Sequence, residues 1–226
     1  GAVKFGVVKF PGSNCDQDAF YVIKDVLGKP VEYIWHQHCS LKGIDCVILP
    51  GGFSFGDYLR TGAIARFSPI MNSVIDHANR GKFVIGICNG FQVLAEAHLI
   101  PGALTRNHEL HFLCRDQKLS IENTSTAWTS SYSQGQEIVI PLKNGEGSFQ
   151  CDDHTLQILE SENRVVARYV GENPNGSRNL IAGITNERGN IVGLMPHPEH
   201  AIDNLTGPSE DGLAFFTSVL HSLVGR

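Results

Sequence analysis

No stretch of this 226-residue chain offers the ~20 consecutive apolar residues that a membrane-spanning helix needs. The apolar start is interrupted by Lys9 and Pro11 before it can make a secretory leader. No membrane role is therefore expected. Positive charge is not in surplus either: Lys plus Arg total 18 against 23 for Asp plus Glu, a net of −5. Without a basic excess there is no electrostatic footprint for phosphate backbones, so nucleic acid is not an expected partner. The six cysteines (15, 39, 46, 88, 114 and 151) include no CxxC pair. A chain of this length builds a core without staples, so reduced thiols in a cytoplasmic protein are expected. HExxH is missing, as is any other His/Cys grouping at ligand spacing, so no metal site is expected. A G-x-x-x-x-G-K-[ST] phosphate loop is also missing. There is no repeat, low-complexity tract or linker, so residues 1–226 read as a single domain. Gly1-Ala2, standing where an initiator Met is usual, reads as a processing remnant.

What is present suits a packed globule: 42% hydrophobic residues with only 18% charged. Val3–Phe10 is β-branched and aromatic, and Pro11-Gly12-Ser13-Asn14 breaks it before a helical stretch from Cys15 to Leu27. Val31–Trp35 and Asp45–Leu49 read as further strands. Ser68-Pro69 opens a helix to about Arg80. Phe83–Ile87 is wholly apolar, as expected of a central parallel strand, and a helix from Asn89 to about Ala97 follows it. Leu110 to Ile140 reads as shorter strands with polar turns, and Asp152–Glu162 as a helix. Strands are expected at Val165–Val170, Leu180–Thr185 and Ile191–Leu194, with a terminal helix from Ser209 to Leu223. Alternating strands and helices predict an open, mostly parallel α/β sheet with helices on both faces and a small antiparallel extension.

Gly86-Ile87-Cys88-Asn89-Gly90 has the form of a nucleophile elbow between a strand and a helix. A sharp turn there lifts the thiol out of the sheet, and a helix N-terminus favours thiolate. The Asn89 N–H is placed to serve an oxyanion. Gln92, one turn along from Cys88, can reach a substrate bound at the thiol. A nucleophile needs a base and the base needs an orienter. Met195-Pro196-His197-Pro198-Glu199 supplies both at stiff spacing after the last strand. If the segment is extended, positions 197 and 199 point the same way, so Glu199 can hold the His197 ring. Both groups follow strands, and sites in open sheets collect at that edge. Gly51-Gly52 after the third strand reads either as an oxyanion loop or as a plain tight turn. Asn173-Pro174-Asn175-Gly176-Ser177 reads as a turn without a role.

Strand-GICNGFQ, PGGFSFGDYLRTGAIA and GLMPHPE resemble the class I (triad) glutamine amidotransferases. KFPGSNCDQD, RNHELHFLCR and NPNGS…IAGI extend the resemblance over nearly the whole chain, toward free-standing glutaminase subunits of a purine-biosynthetic synthase. The resemblance implies a flavodoxin-like fold with Cys88 as nucleophile, His197 as acid/base and Glu199 as its orienter. It assigns the oxyanion hole to the N–H groups of Gly52 and Asn89. Glutamine contacts fall to Gly51 and Gln92, with Asn107 and Phe112 near the pocket. Glutamine is then the substrate, and its ammonia passes to a large synthetase subunit that aminates formylglycinamide ribonucleotide. A small bridging subunit completes the assembly. No cofactor is implied in this chain, because ATP and Mg²⁺ belong to the synthetase. Two positions depart from the family pattern: Asn144 stands where HGEG has its His, and His200 where Arg commonly follows the PE. Two rivals keep other readings of the same residues, a stand-alone γ-glutamyl hydrolase and a binding module in which Cys88 is structural.

Overall fold

The structure, a computed structural model, describes residues 3–52, 68–107, 112–145 and 147–224. Most of the glycine-rich segment beyond Gly52 therefore lies outside the described residues, as do 108–111 and Glu146. The chain opens with β1 (Phe5–Lys9), α1 (Asp16–Tyr21), β2 (Val31–Trp35) and β3 (Cys46–Leu49). Next come α2 (Ile70–Asn79), β4 (Phe83–Ile87), α3 (Asn89–Glu96) and β5 (Ala103–Thr105). The strands β6 (Leu113–Ile121), β7 (Glu137–Asn144) and β8 (Ser148–Gln150) precede α4 (Asp153–Ser161). The chain closes with β9 (Val165–Tyr169), β10 (Ile181–Thr185), β11 (Ile191–Leu194) and α5 (Leu213–Val224).

Nine strands form one sheet in the order β2-β1-β3-β4-β11-β10-β9-β6-β7, and β5 and β8 pair separately. The five strands from β2 to β11 are parallel; the remaining four join by antiparallel pairing. Only β10 and β6 run against the rest, so the expected mostly parallel sheet with an antiparallel extension is what forms. The centre is wholly apolar: all residues of β3, β4 and β11 are buried. On one face Val7, Ile48, Ile85 and Val192 form a row that continues into Tyr33. Phe20 of α1 stacks on that Tyr33 ring at 4.3 Å, so α1 covers this face. On the other face Leu49, Gly86 and Gly193 lie side by side beneath α3. A Cβ on Gly193 would stand 2.7 Å from the Phe91 ring, so the bare backbone is what lets α3 settle onto the sheet.

Three elements differ from the sequence reading. The first helix ends at Tyr21 and widens into a π-turn over Val22–Val26, where the Leu27 N–H reaches back five residues to the Val22 carbonyl. The described part of the segment read from Leu110 holds two long strands, β6 and β7, rather than short ones, because exposed Arg115, Asp116 and Lys118 of β6 mimic turn residues. Pro141 sits inside β7, which tolerates it as the sheet's edge strand. The last helix begins at Leu213, not Ser209. The intervening polar groups are committed to β7 instead: the Ser209 hydroxyl donates to the Val139 carbonyl, and the Asp211 carboxylate accepts the Val139 N–H.

Candidate active site

Cys88 ends β4 and caps α3 with φ 54 and ψ −109, a strained conformation for a residue with a side chain. The glycines on either side make it possible. A Cβ on Gly86 would collide with the Gly90 carbonyl, and one on Gly90 with the Leu49 carbonyl. The Cys88 N–H donates to the Leu194 carbonyl at 2.8 Å, which ties the turn to the end of β11. The thiol donates to the Lys143 carbonyl at 3.3 Å. Although only 5% exposed, Cys88 lines a cavity of about 620 Å³ together with Cys15, Gly52, Gln92, Asn144 and His197. The sulfur is therefore covered but faces a chamber.

Because β4 and β11 are adjacent, the residue three past Leu194 arrives beside the thiol. The His197 N–H donates to the Pro141 carbonyl at 2.9 Å, and its Nδ1 is 3.1 Å from Glu199 Oε2. Each residue is 2% exposed. The reach of Glu199 is as expected, but its geometry is not: after an extended His197, residues Pro198–His200 form a 3₁₀ turn rather than an extended run. Burial would push the His197 imidazole down; the Glu199 carboxylate and the Cys88 sulfur outweigh it and hold the ring well above its usual value. Burial pushes Glu199 up, yet the imidazolium beside it leaves the carboxyl below its usual value. The two directions agree and describe one buried ion pair aimed at a sulfur.

Gly51 fits between the two: a Cβ there would be 2.8 Å from Cys88 Cβ and 3.2 Å from His197 Cε1. Gly52 has φ +79, its carbonyl accepts the Asn14 N–H at 3.1 Å, and its N–H donates to Asn89 Oδ1 at 2.9 Å. Asn89 Nδ2 in turn donates to Gln92 Oε1 at 3.0 Å. Gln92 lines the cavity and Phe112, 71% exposed, stands at its rim. Asn107 is placed differently. Its Nδ2 donates to the Asn144 carbonyl and its Oδ1 accepts the Gly147 N–H, so it clamps the 144–147 loop from behind. The NPNGS turn, given no role from sequence, braces the same loop through Asn175 Nδ2 and the Ser177 hydroxyl, both donating to the Gly147 carbonyl.

Sequence reasoning missed Cys15 and gave His200 no role. Donor atoms of Cys15, His197, Glu199 and His200 all lie within 4.8 Å of one another. Burial pushes the Cys15 thiol up, and the His197 and His200 imidazoles overcome this to draw it down. His200 Nε2 bonds Asp18 at 2.8 Å, and its ring stacks on His197 with centroids 4.9 Å apart and planes within 14°. Imidazole lone pairs lie in the ring plane, so two stacked rings do not converge on one ion. The cluster is built as a stack that supports His197. The one available clue to Cys15 was its position after β1, at the sheet edge that also presents Cys88. No helix among the described residues is long and apolar enough to cross a membrane.

A family model described as the CobB/CobQ-like glutamine amidotransferase domain matches residues 2–214. The phosphoribosylformylglycinamidine synthase subunit PurQ of Streptomyces coelicolor is 59% identical over 222 residues, covering 98% of each chain. The PurQ subunit of Trichormus variabilis is 55% identical over 222 residues, or 98% of this chain and 99% of that one. Among solved structures, a chain of PurLQS from Thermotoga maritima superposes with a TM-score of 0.88 at 42% identity, covering 99% of this chain and all of that one. A glutamine amidotransferase from the same organism shares the fold alone, with a TM-score of 0.63 at 14% identity.

Proposed function

The chain belongs to the CobB/CobQ-like glutamine amidotransferase family, and we propose that it is the glutamine-hydrolysing subunit of a phosphoribosylformylglycinamidine synthase. The observation that carries this reading is the buried His197–Glu199 pair set beside a sulfur on a strained strand-to-helix turn. Cys88 attacks the side-chain amide carbon of glutamine as a thiolate, its proton having passed to His197. The carbonyl oxygen takes up the negative charge and is held by the N–H groups of Asn89 and Gly52. Collapse of this tetrahedral species expels ammonia, protonated by His197, and leaves a γ-glutamyl thioester. His197 then deprotonates a water that attacks the thioester, releasing glutamate and restoring the thiol. Glu199 keeps the ring oriented and stabilises its positive charge throughout.

The ammonia goes to a synthetase partner, which uses ATP and Mg²⁺ to convert formylglycinamide ribonucleotide to the amidine. Delivery must be direct, because free ammonia in water is protonated and no longer nucleophilic. This chain supplies no nucleotide or metal chemistry of its own, acts as one amidotransferase domain, and works in the cytoplasm with a large synthetase and a small bridging subunit. Gly51, Gln92 and Phe112 are its glutamine contacts, while Asn107 acts through the loop it clamps. A glutamine-mimicking chloroketone tests the reading. It should modify Cys88 selectively and abolish glutamine-dependent amination by the assembled synthase while ammonia-dependent amination persists. Cys88→Ala should behave as the modified protein does. Full glutamine-dependent amination by Cys88→Ala would refute the assignment.

A further inference from the structure

The Gly52 N–H needed for the oxyanion already has an acceptor. It donates to Asn89 Oδ1 at 2.9 Å, and the same side chain is held at its other end by Gln92 Oε1 at 3.0 Å. Asn89 Oδ1, a neutral amide oxygen, thus takes the hydrogen bond that a developing oxyanion would need. The Gly52 carbonyl, in the peptide unit that follows, is also held, since it accepts the Asn14 N–H. A Cβ on Gly52 would meet Asn14 and stand 2.6 Å from the Cys15 sulfur, so the chain is closely packed at this position. Rotation of the Asn89 side chain alone is enough to free this N–H.

Gln92 provides the trigger. It is 3% exposed, lines the cavity, and its Nε2 is buried with no hydrogen-bond partner among the described residues. An unpaired buried amide is costly, so Gln92 gains when a ligand offers it an acceptor. From these contacts we infer that the Asn89 side chain is a positioning residue: it latches the Gly52 N–H, glutamine at Gln92 loosens the latch, and full release comes only in the assembled synthase. The inference rests on the glutaminase reading and adds a control to the same site. The backbone N–H of Asn89 serves the oxyanion while its side chain blocks the second donor, so one residue both builds and closes the hole. Slow hydrolysis in the resting chain follows directly.

Steady-state glutaminase assays on the isolated chain and the assembled synthase, with Asn89→Ala, Asn89→Ser and Asn89→Asp, test the latch. Ala and Ser lack the reach to Gly52, and all three residues are tolerated at the first position of a helix. Release of one hydrogen bond should raise kcat of the isolated chain about three- to tenfold for Ala and Ser, with KM little changed. Stimulation by the partner should shrink by the same factor. Asp accepts from the Gly52 N–H more strongly and should lower kcat. A merely structural role would lower all three. Unchanged or reduced kcat in correctly melting Ala and Ser variants overturns the latch. A wild-type chain that hydrolyses no glutamine even in the assembled synthase overturns the glutaminase reading, and the latch with it.

Discussion

Replacing Gly52 by alanine tests the oxyanion assignment through the backbone. Its φ of +79 lies in the left-handed region, where a side chain costs about 1–2 kcal/mol. The new methyl would also press on Asn14 and sit 2.6 Å from the Cys15 sulfur. Pushing the 12–15 loop back breaks the bond from the Asn14 N–H to the Gly52 carbonyl, worth about 1 kcal/mol. Together these amount to about 2–3 kcal/mol, or about 5–10 °C in melting temperature for a chain of this size. Displacing the Gly52 N–H should remove one oxyanion donor and lower kcat by about 10²–10³-fold. Gly135→Ala is the control. Gly135 has φ +76 but nothing within 4 Å of a new Cβ, so only the conformational penalty applies and kcat should hold. Thermal melts and glutamine-dependent amination by the assembled synthase give both readouts. A Gly52→Ala enzyme with wild-type kcat and a melt matching Gly135→Ala would refute both the crowding and the catalytic role of that N–H.

Glu199→Gln should lower kcat about 10²–10⁴-fold, the range for loss of general acid–base catalysis, as seen in amination by the assembled synthase. The same variant has a stability signature set by His197. A raised imidazole value means its contribution is complete below about 6.5 and drains away as pH rises toward the elevated value. The lowered Glu199 contributes fully above about 4.5 and is lost as acid reaches its depressed value. The stability gap between wild type and Glu199→Gln should thus be widest near pH 5–6 and narrow on the alkaline side, as denaturant titrations can show; a gap that widens with pH contradicts the ion pair. Asp211→Ala strips the acceptor from the Val139 N–H at 2.8 Å and should cost about 1–2 kcal/mol in urea unfolding without altering KM for glutamine. The isolated chain should hydrolyse glutamine far more slowly than the assembled synthase; equal rates would favour a self-sufficient hydrolase.

The parallel half of the sheet and the strained turn at Cys88 were legible because local signals agreed with the global fold. Phe83–Ile87 is uniformly apolar, and the Gly86 and Gly90 bracket has one steric meaning at a strand-to-helix turn. The pairing of His197 with Glu199 was legible because only one residue, Pro198, lies between them. Contacts built across long distances in sequence were not. Cys15 reaches His197 across 182 positions, and no spacing rule connects them. Asn107 looked like a ligand contact because its neighbourhood resembles one, yet tertiary structure turns its amide toward the 144–147 loop. The long strands of β6 and β7 were obscured for a different reason: one side of that hairpin faces water, so charged residues interrupt the apolar pattern. Ser209 to Gly212 carries no helix-breaking residue before Gly212, but its side chains bond β7 more favourably than they would extend a helix.

The register of β4 against β11 has a further consequence. Gly86 faces Gly193 and Ile87 faces Leu194, so the gap from sulfur to ring is inherited from main-chain ladder spacing. Amino-acid drift along either strand can remodel what lies above and below while this separation stays constant. The hundred residues joining the two strands are correspondingly open to lengthening or rewriting wherever they do not border the chamber. A scaffold of this kind can acquire new clients by changing its periphery, with its reactive centre held in place by bonds that every sequence possesses.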